Sequence, residues 1–218
     1  MKLRHRGVIF DLDGTLADTL GDISSSMNLA LKTHGFPELP IEAYREKVGW
    51  GMKRLAFLCL DEEMRRDNIV SAIAADAVRF YVENPLRYTK LFPGISELIV
   101  RLRERKVKTA VLTNKNDSVT QQVIAGLFPP NSFAVIQGEI NGQPCKPDPE
   151  CVWEILIGMG LTPAEVIFTG DSETDMETAL GAGCFPLGVS WGYRSVEAIR
   201  NAGACQIIEK PEELLKLL

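Results

Sequence analysis

The chain has 218 residues, with 24 Lys plus Arg against 29 Asp plus Glu, and a formal net charge of −5. At 45% hydrophobic and 24% charged it reads as an ordinary globular protein, neither disordered nor fibrous, and long enough to bury a core without metals or disulfides. The acidic balance offers no broad positive field, which excludes nucleic acid and anionic membrane surfaces as expected partners but leaves room for a small phosphorylated metabolite held by a few local cations.

In chain order, residues 7–12 form the first short apolar run. From residue 15 to about 87 no strand pattern appears. Amphipathic stretches at 23–32, 41–47, 52–60 and 62–81 are punctuated there by Gly35-Phe36-Pro37, Gly49-Trp50-Gly51 and Asn84-Pro85. Beyond it, apolar runs at 108–114, 133–138, 166–171 and 185–190 alternate with helical patterns at 95–105, 118–127, 150–159 and 174–180. Runs of this length suit strands buried on both faces of a parallel sheet, and the alternation makes the class α/β. A helical insertion of roughly 70 residues directly after the first strand reads as a second, smaller domain. The expected division is a core of residues 1–15 and 88–218 and a helical domain of residues 16–87. The basic stretch at 101–108 reads as a solvated helix face.

Charges and glycines interrupt every apolar run, so none reaches the roughly 18 residues of a membrane helix, and Val8-Ile9-Phe10 is too short for a secretory signal. A cytoplasmic protein is expected. Five cysteines with no C-x-x-C pair are expected as reduced thiols.

The chemistry gathers at strand ends, where an α/β sheet places its ligand. Asp11-Leu12-Asp13-Gly14-Thr15 follows the first run, and alternation along a strand projects Asp11 and Asp13 together. Adjacent carboxylates repel unless a cation joins them, and Mg²⁺ takes hard oxygen ligands of this kind. Gly14 would let the backbone approach a ligand closely. The alternative is a polar turn with Asp as a helix cap. Thr113-Asn114 closes the second run with a hydroxyl and an amide, able to bind a phosphoryl oxygen or to cap the next helix. Gly170-Asp171-Ser172-Glu173-Thr174-Asp175 closes a third run with acids that could complete a cation site with Asp11. Lys146, in Cys145-Lys146-Pro147-Asp148-Pro149, precedes a helix whose expected N-cap is Asp148; a cation there makes sense if an anion sits between them, and is otherwise a loop lysine. His5 and His34 have no partner at motif spacing and read as structural or surface groups. Cys145 beside Lys146 is either a reactive thiol or a small buried one.

These four segments, and most of the chain from Asp11 to about Tyr193, resemble the haloacid dehalogenase superfamily, among its phosphatases with a helical cap. Within it, Asp11-Leu-Asp-Gly-Thr-Leu-Ala-Asp18, Val48-Gly-Trp-Gly51 and Val189-Ser-Trp-Gly-Tyr193 are most similar to phosphoglycolate phosphatases. The resemblance implies a Rossmann-like parallel sheet core with an inserted helical cap, hinged near residues 15–19 and 87–93. It implies Asp11 as nucleophile, Asp13 as general acid and base, and Thr113 and Lys146 as phosphoryl ligands. Mg²⁺ is implied on Asp11, the Asp13 backbone carbonyl and Asp171, with Asp175 in support. The Gly49–Gly51 loop with Lys53 and Arg54 is the candidate for reaching the substrate; a plain helix break with solvated cations is the alternative. The expected reaction is hydrolysis of a small phosphate monoester, 2-phosphoglycolate foremost, by a monomer or homodimer. A β-phosphoglucomutase-like sugar-phosphate mutase keeps both acids and is the nearest rival; a phosphoacceptor or binding domain is the rival from another class. Dehalogenases and phosphonate hydrolases lack the acid that Asp13 supplies.

Overall fold

In the computed structural model, which describes residues 5–218, the chain enters the sheet as β1 (Gly7–Phe10), buried along its whole length. Val8 and Phe10 join one hydrophobic cluster and Ile9 the other, so β1 is covered on both faces, as its unbroken apolar run predicts. The chain leaves through β2 (Ala17–Asp18), builds α1 (Leu20–Thr33), α2 (Gly51–Cys59) and α3 (Asp67–Glu83), and returns through β3 (Lys90–Leu91). There follow α4 (Ile95–Glu104), β4 (Lys108–Asn116), α5 (Asp117–Leu127), β5 (Val135–Glu139), α6 (Glu150–Met159), β6 (Val166–Gly170), α7 (Glu173–Ala182), β7 (Phe185–Val189), α8 (Val196–Asn201) and β8 (Gln206–Ile208).

Six strands form a parallel sheet in the order β5-β4-β1-β6-β7-β8. From β1 the chain moves outward on one side through β4 and β5, then crosses to the other side with β6. The order therefore reverses at β1, and the loops leaving β1, β4 and β6 converge at one end of the sheet. This is the expected α/β class with a Rossmann-like sheet. β8 and α8 were not among the expected elements, because three and six residues are too short to carry a period.

The insertion is helical, though the stretch at 41–47 keeps only a 3-10 turn over Ile41–Tyr44, and it departs from its sequence pattern in two further ways. The stretch at 62–81 is broken: Glu62–Met64 is a 3-10 turn and α3 begins only at Asp67. Between them Arg65 turns back, its Nε donating to the Phe57 carbonyl at 3.1 Å and the Leu60 carbonyl at 3.0 Å at the end of α2. The second departure is that β2 and β3 pair antiparallel, Ala17 opposite Leu91 and Asp18 opposite Lys90, so both connections to the insertion run together as a ribbon. Ile23, Met27, Ala30 and Leu31 make one buried face of α1 at helical spacing and belong to the same cluster as β1 Val8 and Phe10. The apolar core therefore runs from one face of the sheet into the insertion. No helix among the described residues is long and apolar enough to cross a membrane.

Asp22 fixes the returning connection. Its carboxylate, buried in α1, accepts hydrogen bonds from the Tyr88 N–H at 3.0 Å, the Thr89 N–H at 2.8 Å and the Thr89 hydroxyl at 2.7 Å. Truncation leaves these buried donors without a partner, each worth about 1–3 kcal/mol. Asp22→Ala should lower the unfolding free energy by about 3 kcal/mol in a denaturant titration, and a loss below about 0.5 kcal/mol would contradict this anchoring role.

Candidate active site

β1 stops at Phe10, and the chain reverses at once: the N–H groups of Thr15, Leu16 and Ala17 all donate to the Leu12 carbonyl. Gly14 takes φ +84°, a conformation side chains disfavour, and a Cβ there would come within 2.3 Å of the Asp171 carboxylate. Asp171 is the first residue past β6, and Gly192 makes room for it from the other side, where a Cβ would lie 2.2 Å away. The Tyr193 N–H at 2.7 Å and the Thr15 hydroxyl at 3.2 Å hold its oxygens. Asp11 and Asp171 thus meet because two strands end side by side and glycines leave space between them.

Lys146 lies among these acids. Its ammonium, 3% exposed as a residue, is 2.8 Å from Asp11 Oδ1 and 2.6 Å from Asp175 Oδ1. Asp175 uses its other oxygen to accept from the Ser172 N–H at 3.0 Å and hydroxyl at 2.6 Å, in the capping box that starts α7. Asp148 accepts from the Glu150 N–H at 2.9 Å, and α6 runs over Glu150–Met159 as its pattern predicts, but its N-cap is Pro149, one residue later than the expected Asp148. The Lys146-Pro147 peptide bond is cis.

Burial, and then repulsion from Asp175, push the Asp11 carboxyl well above the ordinary carboxylate range, with Lys146 pulling the other way. Asp171 is pushed up to about 7, by burial and then by Asp175. Burial alone would lower the Lys146 pKa, but Asp11 and Asp175 hold it above the ordinary lysine value. The partners move in opposite senses because three carboxylates share one ammonium: the cation is well compensated and the acids are not.

Asp11, Asp171 and Asp175 each offer a buried carboxylate oxygen, all within 4.8 Å of one another. Hard oxygen donors with unrelieved negative charge fit a divalent cation such as Mg²⁺. Both Asp175 oxygens already serve Ser172 and Lys146, which suits the supporting place expected for it.

The acids open into a cavity lined by Asp11, Asp13, Thr113, Asn114 and Lys146 from the core and by Ile23, Val48, Gly49, Gly51, Met52, Leu55 and Tyr81 from the insertion. Thr113 is buried in the last part of β4, where the strand loses register with β5 between Leu112 and Asn116. Asn114 is placed to position rather than to reach a phosphoryl group: its side chain donates to the Lys146 carbonyl at 2.8 Å and the Gly49 carbonyl at 3.0 Å, and accepts from the Lys146 N–H at 2.9 Å. Lys53 is not brought to this cavity. It is exposed, pairs with Asp67 at 2.7 Å, and lines a separate hollow on the outside of the insertion, where Arg54 packs over Phe57.

Lys115 and Arg194 are site residues that sequence reasoning missed. The Lys115 ammonium is buried 2.9 Å from Asp13 Oδ1 and 2.9 Å from the Tyr81 hydroxyl of α3, while Asp13 Oδ1 also accepts from Thr19 Oγ1 at 2.7 Å. Arg194 donates to the carbonyls of Arg45 and Val48, both at 2.8 Å, and to Glu173 at 3.2 Å, holding the insertion loop to the start of α7. Lysine and arginine are solvated by default. The sequence signal for Lys115 is its position, two residues after Thr113 at a strand end; Arg194 carries none. His5 accepts from or donates to nothing in the cavity: its ring is 3.0 Å from the Leu217 carbonyl, and His34 pairs with Asp76 on the surface. Burial pushes the Cys145 thiol up more than Lys146 lowers it, so it is not an activated nucleophile.

This constellation has relatives. A model of the haloacid dehalogenase-like hydrolase family matches residues 8–189. The chain is 28% identical to a phosphoglycolate phosphatase of Haemophilus influenzae and 30% identical to one of Mannheimia succiniciproducens, each over the full length of both proteins. The crystal structure of a predicted phosphoglycolate phosphatase from Haemophilus somnus 129pt superposes with a TM-score of 0.90 at 25% identity, covering 100% of this chain and 99% of that one. The chain belongs to the haloacid dehalogenase-like hydrolase family, among its phosphatases.

Proposed function

We propose that this phosphatase hydrolyses a small phosphate monoester, 2-phosphoglycolate foremost, through an aspartyl-phosphate, an acyl phosphate on Asp11. One observation carries the reading: Asp11 stands at the carboxyl end of the central strand with an ammonium at 2.8 Å, facing a cavity roofed by the helical insertion. Asp11 attacks phosphorus and the alkoxide leaves. Asp13, held in place by Thr19 and Lys115, protonates that alkoxide and then deprotonates the water that releases phosphate. Thr113 and Lys146 donate to the phosphoryl oxygens, whose developing charge needs fixed donors. Asp11, Asp171 and the Asp13 carbonyl would hold Mg²⁺, with Asp175 in support, and the ion when bound supplies positive charge against the phosphoryl group. The insertion keeps bulk water away from the ester. The names of the relatives support 2-phosphoglycolate as the substrate. On this reading the enzyme is cytoplasmic and works as a monomer or homodimer.

Asp11→Asn should abolish phosphate release from a panel of small esters while leaving the circular dichroism spectrum unchanged; near wild-type turnover would sink the nucleophile assignment. Asp13→Asn should slow turnover by about 10²–10⁴-fold, the range for losing a general acid and base.

The raised acids fix the sign of a pH effect. Between the unfolded carboxylate value of about 3.9 and the folded value of about 7 for Asp171, the folded chain without metal holds more protons than the unfolded one, so stability falls as pH rises. A divalent cation binds the ionised acids and removes that penalty. Millimolar MgCl₂ should therefore raise the Tm more at about pH 8 than at about pH 5, and an equal shift at both would contradict the cation site.

A further inference from the structure

If the substrate carries a carboxylate, a cationic or amide group must receive it, and the expected cations are Lys53 and Arg54 of the insertion. The structure offers none there: the insertion's share of the cavity wall is apolar side chains, two glycines and the Tyr81 hydroxyl, while Lys53 lies outside. Two cations line the cavity, Lys146 and Lys115. Lys146, beside Asp11 and Asp175, is assigned to the phosphoryl group itself. Lys115 places its ammonium between Asp13 of the core and Tyr81 of the insertion, 2.9 Å from each. Of its three N–H donors, two are used and the third has no partner among the described residues.

Connectivity decides what that cation can read. Asp13, as general acid, must come within hydrogen-bond reach of the leaving oxygen, about 2.6–3.2 Å. An ammonium touching Asp13 therefore lies beside whatever the carbon next to that oxygen carries. We infer that Lys115 is the specificity residue of this site, binding an acidic group attached to the carbon that bears the leaving oxygen. The inference rests on the phosphatase reading and deepens it: the substrate class is α-acidic phosphate esters, of which 2-phosphoglycolate is the smallest. A carboxylate one carbon further away, as in 3-phosphoglycerate, misses this register. A charge-assisted bond from a buried ammonium is strong and directional, and an ester lacking the acid leaves the cation without its ligand. Because Tyr81 belongs to α3, the acid is also received where the insertion meets the core.

The test compares kcat/KM for 2-phosphoglycolate, 2-phospholactate, 3-phosphoglycerate and ethyl phosphate in the wild type, Lys115→Met and Lys115→Arg. The wild type should prefer the two α-acidic esters. Lys115→Met should slow all four esters by loosening Asp13, but should lose about 100-fold more on the two α-acidic esters than on ethyl phosphate, erasing the preference, whereas Lys115→Arg should retain part of it. Equal losses on all four esters would reduce Lys115 to a support for Asp13 and overturn the inference. A wild type indifferent to the α-acid would overturn it without any variant, so misfolding of Lys115→Met leaves no escape. A preference for 2-phospholactate over 2-phosphoglycolate would revise the proposed substrate and uphold Lys115. No phosphate release from any ester would contradict the phosphatase reading itself.

Discussion

The site depends on one buried ammonium set among three buried carboxylates that it cannot all neutralise. Lys146 pairs with Asp11 and Asp175, Asp171 lies close to both acids at the same end of the parallel sheet, and water is largely excluded from all four. Such a cluster is costly to assemble, because burying a charge is unfavourable unless it is paired, and one ammonium cannot neutralise three acids. The leftover charge is what makes the corner useful. It calls for a divalent cation, and it holds Lys146 protonated where a phosphoryl oxygen would sit. The net charge of −5 therefore does not argue against binding an anion, since part of the acidic excess is concentrated where a metal would offset it.

The second constraint is the contact between insertion and core. Among the core side chains that reach across it are Asn114, to the Gly49 carbonyl, Lys115, to the Tyr81 hydroxyl, and Arg194, to the carbonyls of Arg45 and Val48. Each is also tied to a group of the catalytic corner. Asn114 grips the backbone of Lys146, Lys115 grips Asp13, and Arg194 grips Glu173 in the first turn of the helix that carries Asp175. The contact of the insertion with the core and the order of the buried acids and lysines thus depend on the same residues, while β2 and β3 keep the two connecting strands together as a ribbon.

The candidate site was legible in the sequence as a place because its polar residues follow buried apolar runs, and those runs mark strands plainly. Asp11, Asp13, Thr113, Lys146 and Asp171 announce themselves as polar residues where such a run stops or in the loop beyond, and Asp175 follows in the first turn of the next helix. The two-residue strands β2 and β3 did not, since a period cannot be read from two residues. Nor did the division of labour among the cations. Lys53 and Lys115 are the same residue type in polar contexts, and only the fold makes one a surface partner of Asp67 and the other a buried group between Asp13 and Tyr81. Asn114 shows the same limit, an amide whose hydrogen bonds go to backbone groups distant in sequence.

The central claim is that Asp11 takes the phosphoryl group. It is tested most directly by quenching the enzyme in acid during turnover of the best ester, carrying a labelled phosphoryl group, and mapping the label by peptide. The account predicts a hydroxylamine-labile label on the peptide that contains Asp11, absent from Asp11→Asn. Phosphate release in a single turnover with no label on the enzyme at any quench time would contradict it.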